Sequence, residues 1–341
     1  MSQVIHSISV IICAYTEKRW DALVVAVESV RQQTLAANEI IVVIDHNPGL
    51  LKRVQEYLSD VVVVENTEAR GLRGARNCGV AVAKSRITAF LDDDAIAIPD
   101  WLMFLYEGYT DPQVLCTGGA VIPFWVENKP AWLPEEFYWV VGCTYQGMSQ
   151  NGTIIRNPIG ANMSFRREVF DVVGNFHSEI EQIGPRHAGG CEETELCIRA
   201  RQNWPQSVFL YHPKARVFHR IPNDRTTWHY FCSRCYTEGL SKSVMTRYVG
   251  VKEGLAAERT YTLRILPRGI LQGLADALFH HDLIGLARAG AIIVGLAVTI
   301  AGYLIGSIFS RVSKSKSTIA TEAVLSRNSE VPRSLPARTE T

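Results

Sequence analysis

Short apolar runs alternate with helical patterns in the first part of the chain. Four of these runs are rich in valine and isoleucine: Ile8–Cys13, Glu39–Ile44, Val61–Val64 and Ile87–Leu91. Runs of this kind are typical of strands that are buried on both faces of a parallel sheet. The segments between them combine helical spacing with polar faces: Arg19–Gln33, Leu50–Ser59 and Gly71–Lys84. Because strands and helices alternate, the sequence predicts an α/β domain with a mostly parallel central sheet flanked by helices.

The residues that follow these predicted strands are polar and mostly acidic. Tyr15 follows the first strand, Asp45 the second, and Asp92, Asp93 and Asp94 the fourth. The carboxyl ends of parallel strands lie on one edge of the sheet, where ligands bind in such domains, so we expect these side chains to converge. Three adjacent carboxylates repel one another, and oxygen atoms are the ligands that Mg²⁺ prefers. The triplet therefore predicts a site for Mg²⁺ or Mn²⁺ that could hold a diphosphate; the alternative is a turn and N-cap cluster before the next helix.

The stretch after the triplet is less regular. It contains four strand-like segments and one helical segment: Val114–Val121, Ile159–Phe165, Ser207–Tyr211, Arg216–His219 and the helix Glu193–Asn203. Trp125, Trp132 and Trp139 lie in a region with several prolines and indicate loops that face an acceptor. A long helix with three basic residues is predicted over Thr226–Tyr248.

Charge and cysteine content narrow the functional classes. Lys plus Arg is 35 and Asp plus Glu is 34, a balance that argues against a nucleic-acid-binding protein. The eight cysteines lack the density of a disulfide scaffold, so reduced thiols in the cytosol are expected. Cys232 and Cys235 form a lone CxxC, which leaves open a zinc site or two small residues in a helix. Ile8–Cys13 has no preceding basic region and no cleavage site, and is predicted to be a strand rather than a secretory signal.

The C-terminal part contains a long apolar run. No charged residue occurs over Ala289–Phe309, and roughly 20 apolar residues suffice to span a bilayer. A transmembrane or membrane-embedded helix is therefore predicted over residues 284–310. Gly302 and Gly306 form a GxxxG motif that can pack against another helix, and Tyr261–Phe279 is amphipathic and expected on the membrane surface.

The predicted organisation has four parts. Residues 1–250 form the α/β domain, 251–283 an amphipathic linker or interfacial helix, 284–310 the membrane helix, and 311–341 a disordered polar tail. Lys and Arg residues lie on both sides of the apolar run, so their distribution does not decide its orientation.

Seven short segments match, in the same order, those of one enzyme family: Ser9–Glu17, Ser29–Thr34, Glu39–Asp45, Gly74–Gly79, Phe90–Asp94, Gly160–Arg167 and Glu192–Arg199. The ordered set covers about Ile8 to His219, and through it the chain resembles the family 2 glycosyltransferases. The resemblance implies the GT-A fold and an inverting transfer of a sugar from a nucleotide-diphosphate donor, with Mn²⁺ or Mg²⁺ as cofactor. Because such donors are cytosolic, it also implies a catalytic domain on the cytoplasmic face of the cell membrane.

The resemblance implies roles on the donor side. Asp45 corresponds to the aspartate that binds the donor base, and Tyr15 and Glu17 correspond to the wall around the base and ribose. Arg73 and Arg76 lie at a glycine-bearing loop and helix start near the same edge of the sheet. They are expected to neutralise the diphosphate through forked hydrogen bonds, with Arg76 favoured because it falls in a matched segment.

The aspartate triplet matches the family's DxD metal motif. By the resemblance, Asp94 is the direct metal ligand and Asp92 holds the ribose or a metal-bound water. Asp93 is assigned to donor binding as the least defined member of the three. His219 follows a late predicted strand and corresponds to a further metal ligand; the alternative is a packed or solvated histidine.

An inverting transfer needs a base that takes the proton of the acceptor hydroxyl. Glu192 and Glu193 precede a predicted helix, whose N-terminal dipole stabilises carboxylates. The family usually has Glu-Asp here, with the Asp as base. Glu193 therefore aligns with the base but has one extra methylene, and the assignment stays open between Glu193 and Glu192.

The predicted function is that of a metal-dependent, hexosyltransferase-like enzyme. It moves a sugar from a nucleotide-sugar donor to a hydroxyl of a glycan or lipid-linked acceptor in cell-envelope polysaccharide synthesis. A UDP-sugar is expected by analogy, with thymidine and guanosine donors as alternatives. A nucleotidyltransferase that makes the activated sugar is the second hypothesis, although Ala14–Lys18 lacks the glycine of the loop such enzymes carry. A non-catalytic membrane scaffold is the third.

Overall fold

A computed structural model describes residues 7–148, 154–177, 192–250 and 256–328. Its first part contains four strands and three helices in alternation: β1 (Ile8–Ala14), α1 (Trp20–Arg31), β2 (Glu39–Ile44), α2 (Pro48–Tyr57), β3 (Val62–Glu65), α3 (Leu72–Val82) and β4 (Ile87–Asp92). The alternation predicted from the sequence is confirmed.

The second part completes the sheet and adds a group of helices. Its elements are β5 (Ala95–Ala97), α4 (Trp101–Glu107), β6 (Val114–Trp125), a 3-10 helix (Glu135–Val141), β7 (Asn162–Arg166), α5 (Arg167–Val173), α6 (Glu192–Asn203) and β8 (Val208–Ile221). The C-terminal helices are α7 (Trp228–Val249), α8 (Ala256–Thr260), a π-helical turn (Tyr261–Ile265), α9 (Leu266–Phe279) and α10 (Ile284–Asn328).

The eight strands form one sheet in the order β3-β2-β1-β4-β7-β6-β8-β5. Strands β1 to β4 are parallel to one another, β7 runs antiparallel to both β4 and β6, and β6 and β8 are parallel. Alternate residues of β1 enter different hydrophobic clusters: Val10 and Ile12 pack on one face of the sheet and Ile11 on the other. Both faces are therefore buried, which explains why these strands are nearly unbroken apolar runs.

The sequence predicts two separate strands over Ser207–Tyr211 and Arg216–His219, whereas the structure joins them in β8. The pairing with β6 shifts register between Gly119 and Ala120. Pro213 lies in this irregular stretch and has no N–H to donate to a neighbouring strand. The buried amide of Asn162 donates to the carbonyl of Ala215 at 2.8 Å and so satisfies one group that the irregularity exposes.

Strand β5 is too short to be recognised in the sequence. It follows the aspartate triplet directly and pairs antiparallel with β8, with Ala95 opposite His219. The backbone N–H of Arg220 also donates to the carbonyl of Asp94 at 2.9 Å. The short strand therefore brings the end of the triplet to the late histidine.

Among the described helices, one contains a segment long and apolar enough to cross a membrane. This segment, Ile284–Ile308 of α10, has 25 residues and a mean hydropathy of 2.2, and 28% of its most apolar window is buried within the protein. A core helix of a soluble protein would be mostly buried, so the exposed apolar face fits a lipid environment better. Helix α9 also exposes leucines and a phenylalanine: Leu271, Leu274, Leu278 and Phe279.

Helix α10 continues to Asn328, whereas the sequence predicts a disordered polar tail from residue 311. Residues 311–328 contain no Pro or Gly that would end the helix. The predicted tail over residues 329–341 lies outside the described residues.

The GxxxG motif of α10 packs against α7 of the same chain. A β-carbon at Gly302 would overlap the carbonyl oxygen of Tyr236, and one at Gly306 would overlap the hydroxyl of Ser243. Gly239 of α7 approaches the backbone of Thr299 in the same way. Small residues let the two backbones come this close, so α10 is joined firmly to a helix of the folded domain.

Candidate active site

Asp45 lies at the carboxyl end of β2 and is held by three neighbours. Its Oδ1 accepts hydrogen bonds from Asn66 Nδ2 at 2.6 Å and lies 2.9 Å from His46 Nδ1, and its Oδ2 accepts from the backbone N–H of Gly71 at 3.0 Å. Burial acts to raise the pKa of Asp45, but the hydrogen bonds from His46, Asn66 and Gly71 lower it below its usual value. The structure therefore provides a fixed, ionised carboxylate at this edge of the sheet.

Tyr15 and Glu17 follow β1 at the same edge. Tyr15 is 53% exposed, and the guanidinium of Arg19 lies 5.4 Å from its ring centroid. Glu17 is exposed and begins a 3-10 turn that the hydroxyl of Thr16 caps. The amide of Asn47, just beyond β2, donates to the carbonyl of Tyr15 at 3.1 Å, so the ends of β1 and β2 are tied together. An accessible aromatic ring next to a fixed carboxylate has the right character to contact a nucleoside.

The three aspartates of the triplet have different partners. Asp92 ends β4, and its Oδ1 lies 3.7 Å from Nη2 of Arg76. Asp93 and Asp94 form the turn into β5, and both contact Nη1 of Arg19, at 2.8 and 3.0 Å. Burial raises the pKa of Asp93 to about 7, even though Arg19 acts to lower it. The Oδ2 atom of Asp93 is buried and has no hydrogen-bond partner within the described part of the chain.

Asp92, Asp94 and His219 form a cluster that could hold a metal ion, which we call the acidic cluster. One ligand atom from each lies within 4.8 Å of the other two. Asp94 Oδ1 is 3.1 Å from His219 Nε2, and His219 Nδ1 is 3.9 Å from Cys143 Sγ. Carboxylate oxygens with one imidazole nitrogen suit Mn²⁺ and related divalent ions, so these residues fit a divalent metal. Within the described residues the CxxC of Cys232 and Cys235 forms no such group and lies in α7.

Protonation in the acidic cluster follows its contacts. Burial acts to raise the pKa of Asp94, but the hydrogen bond and charge of His219, together with Arg19, lower it to about 2. Burial acts in the opposite direction on His219, and the contact with Asp94 raises the pKa of the histidine to about 10. The imidazolium of His219 and the guanidinium of Arg19 thus place positive charge next to the carboxylates.

Arg19 is a site residue that sequence reasoning missed. It lies five positions after the end of β1, in the loop that already carries Tyr15 and Glu17. The sequence did offer one indication of its role. Arg19 is a basic residue that follows the first predicted strand, at the same edge of the sheet as the three aspartates. Its contact with Asp93 and Asp94 holds the turn between β4 and β5 in place.

Arg76 and Arg73 lie on α3 in different surroundings. Arg76 is buried, donates to Glu192 Oε1 and to the carbonyl of Gly160, both at 3.1 Å, and lies near Asp92. Arg73 is also buried and donates to the carbonyl of His177 at 2.9 Å. Arg76 therefore connects the acidic cluster to α6, whereas Arg73 contacts the segment that follows α5.

Glu192 and Glu193 begin α6 and differ in their surroundings. Glu192 is buried, and its ion pair with Arg76 spans 3.1 Å. Glu193 is half-buried; burial and the neighbouring charge of Glu192 raise its pKa to about 7. A carboxylate with a pKa near neutrality can accept a proton at physiological pH and release it again. Glu193 therefore has the properties of a general base, while Glu192 positions Arg76.

One cavity of about 590 Å³ joins these groups to the C-terminal helices. Its lining includes the acidic residues and their arginine: Arg76, Asp92, Glu192 and Glu193. It also includes residues of α9 and α10: Leu266, Leu296, Thr299, Ile300 and Tyr303. Trp139, one of the three tryptophans expected to face an acceptor, also lines it. The volume suits a ligand larger than a single sugar.

The comparisons with known proteins agree with this geometry. Residues 9–174 match the model for glycosyl transferase family 2. The chain is 36% identical over 242 residues to a glucosyl-dolichyl phosphate glucuronosyltransferase of Haloferax volcanii. The aligned region covers 70% of this chain and 77% of that protein. It is 35% identical over 91 residues to the Escherichia coli enzyme WfaP, a UDP-Glc:alpha-D-GlcNAc-diphosphoundecaprenol beta-1,3-glucosyltransferase, over 26% of this chain and 35% of that protein.

A solved structure shows the same fold. The mannosyltransferase PcManGT of Pyrobaculum calidifontis, in complex with GDP-Man and Mn²⁺, superposes with a TM-score of 0.53 at 16% identity and covers 86% of each chain. The mixed sheet with flanking helices is thus a GT-A-like fold, as expected. The family model and the Haloferax relative establish that the chain is a glycosyltransferase and belongs to glycosyl transferase family 2.

Proposed function

We propose that the enzyme moves a sugar from a nucleotide-diphosphate donor, most simply a UDP-sugar, to a hydroxyl of a lipid-linked glycan in cell-envelope synthesis. The observation that carries this proposal is that Asp92 and Glu193 line the same cavity as residues of the apolar helix α10. The printed names of two relatives support it, because their substrates include a dolichyl phosphate and a diphosphoundecaprenol.

The donor would lie along the carboxyl ends of β1, β2 and β4. Asp45 would accept hydrogen bonds from the base, Tyr15 and Glu17 would flank the base and ribose, and Arg76 would face the diphosphate. Arg73 would not contact the diphosphate directly but would hold the segment at His177, to whose carbonyl it donates a hydrogen bond. Asp93 would act through its contact with Arg19, which fixes the turn.

A divalent ion, Mn²⁺ or Mg²⁺, would be held by Asp94 and His219, with Asp92 on the ribose or on a metal-bound water. When bound, such an ion stabilises the negative charge of the departing nucleoside diphosphate as a Lewis acid. Arg19 contacts Asp94 and Arg76 lies near Asp92. Both guanidinium groups would therefore add positive charge close to the departing diphosphate.

Glu193 would take the proton of the acceptor hydroxyl as the oxygen attacks the anomeric carbon. Its position in the cavity and its pKa near 7 both suit this role. Glu192 is the weaker candidate because its carboxylate is held by Arg76 at 3.1 Å.

The chain would consist of a catalytic domain over residues 1–250, an interfacial segment over 251–283 and a membrane-embedded helix over 284–310. The catalytic domain would face the cytoplasm, where nucleotide sugars are made. Helix α10 would anchor the enzyme and expose Ile293, Val294, Ile300 and Leu304 to lipid.

The test is a screen of nucleotide sugars with detergent-solubilised enzyme in the presence of Mn²⁺ or Mg²⁺ and a polyprenyl-linked sugar acceptor. We expect one donor class to give a longer lipid-linked glycan and free nucleoside diphosphate. Release of pyrophosphate instead would indicate nucleotidyl transfer, and absence of donor binding by calorimetry would contradict the proposal.

A further inference from the structure

A group of charged side chains also lines the cavity. It consists of Arg156, Arg234, Glu238, Lys242 and Glu258. Glu238 lies close enough to Glu193 for its charge to raise the pKa of that residue, and Lys242 Nζ lies 3.1 Å from Glu238 Oε1. The charged group therefore begins beside the proposed base and extends away from it.

Glu258 lies between two cations of this group. Its Oε1 accepts a hydrogen bond from Lys242 Nζ at 2.6 Å, and Nη1 of Arg156 lies 3.2 and 3.1 Å from its two carboxylate oxygens. Only 15% of the Lys242 side chain and 20% of the other two are exposed. Two cations around one small anion at these distances form the arrangement that also binds a phosphate group.

Apolar side chains of the C-terminal helices line the same cavity. Leu266, Leu296 and Ile300 belong to this lining, and α10 also exposes Ile293, Leu304 and Ile308. Helix α10 therefore contributes both to the cavity wall and to the exposed apolar surface of the protein. A ligand that fills the whole cavity would need a polar head, an anionic middle and an apolar tail.

We propose that Arg156 and Lys242 bind the phosphate of a lipid-linked sugar acceptor, and that Glu258 occupies this position when the acceptor is absent. The phosphate replaces the Glu258 carboxylate between the two cations, the sugar lies toward Glu193, and the hydrocarbon chain leaves along α10. This assignment rests on the proposed function, since it identifies the acceptor's anchor group at the same site.

The test measures binding of three probes to the full chain in detergent micelles by calorimetry: farnesyl phosphate, farnesol and inorganic phosphate. We expect farnesyl phosphate to bind more tightly than either of the others, because it can contact both the two cations and the apolar side chains that line the cavity. Lys242→Ala and Arg156→Ala should each weaken farnesyl phosphate binding about tenfold or more, as expected when one hydrogen bond to a charged group is lost. Neither should change binding of farnesol.

Two further variants separate this role from a structural one. Glu258→Gln should bind farnesyl phosphate more tightly than the wild type, because the competing negative charge is gone, and Lys242→Arg should restore most of the affinity lost in Lys242→Ala. Lys52→Ala is the control, since Lys52 lies on the surface, 3.8 Å from Glu56.

The proposal is overturned if the two alanine variants bind farnesyl phosphate as the wild type does, or if Glu258→Gln binds it more weakly. Equal affinity for farnesyl phosphate and inorganic phosphate would overturn the lipid assignment in favour of a free anion. If farnesyl phosphate binds as expected but no nucleotide sugar supports transfer, the site stands and the proposed function fails.

Discussion

Oδ1 of Asp94 lies 3.1 Å from Nε2 of His219 because β5 and β8 pair antiparallel and place Ala95 opposite the histidine. The contact joins the first, parallel half of the sheet to its last long strand. It also fixes two of the three side chains of the acidic cluster without help from any flexible loop. The consequences of this arrangement can be measured.

Asp94→Ala should abolish metal-dependent transfer while leaving the fold intact. Loss of this ligand removes several kcal/mol of charge stabilisation, so we expect a fall of about a thousandfold in turnover. Mn²⁺ binding should be lost in calorimetry, and circular dichroism should be unchanged. Asp60→Asn is the matched control, because Asp60 is an exposed aspartate that pairs with Arg31 at the surface. Retained turnover in a purified Asp94→Ala enzyme would remove the metal role of Asp94.

Glu193→Gln should cut turnover by about a hundredfold or more, the usual effect of a lost general base, and spare donor binding. Glu192→Gln should act differently, because it loosens the buried Arg76 and so weakens donor binding and thermal stability as well. Single-turnover kinetics and donor titrations distinguish the two. A large loss of rate in Glu192→Gln with none in Glu193→Gln would reverse the assignment.

Turnover should depend on pH through Glu193. Burial and Glu192 raise the pKa of Glu193 to about 7, and a base acts only when deprotonated, so the rate should rise about tenfold per pH unit below 7 and level off above it. Glu192→Gln removes the neighbouring negative charge and should therefore move this rise to lower pH. A rate that is flat between pH 5 and 8 in the wild type would contradict the role of Glu193.

Gly302→Ala should destabilise the pair of α7 and α10, because the added carbon meets the Tyr236 carbonyl. We expect a loss of about 1–3 kcal/mol, typical of overpacking, measured as a lower Tm in detergent. Gly290→Ala, in the same helix, is the control. It has open space around it and should be neutral or slightly stabilising, since alanine is the better helix former. Equal Tm values for the two variants would mean that the helices are not packed as described.

The parts of the site that could be predicted are those set by local sequence. Asp45 and Asp92 lie at strand ends because the apolar runs before them form parallel strands, and the residue after such a strand must lie at the ligand-binding edge. Glu193 lies in the first turn of α6, where the predicted helical pattern begins. These predictions require only the spacing of apolar residues along the chain and the positions where each apolar run or helical pattern begins or ends.

The rest depends on contacts between distant segments. The pairing of β5 with β8 rests on three residues, too few to give a recognisable pattern. The cavity wall depends on where α7 meets α10, and the glycines that allow this approach could equally have met a second chain. Arg156 and Glu258 carry no motif at all, and only the folded chain shows that they share a cavity.

The close approach of Gly239 to the backbone of Thr299 has a practical consequence for anyone who wishes to work with this enzyme in water. Deleting the hydrophobic C-terminus is the common way to make a membrane-bound protein soluble. Here a truncation before Ile284 would also delete Leu296, Ile300 and Tyr303, which line the cavity, and would uncover the side of α7 that they protect. Because the hydrophobic C-terminal helix lines the cavity, the enzyme should be purified in detergent with this helix intact rather than truncated.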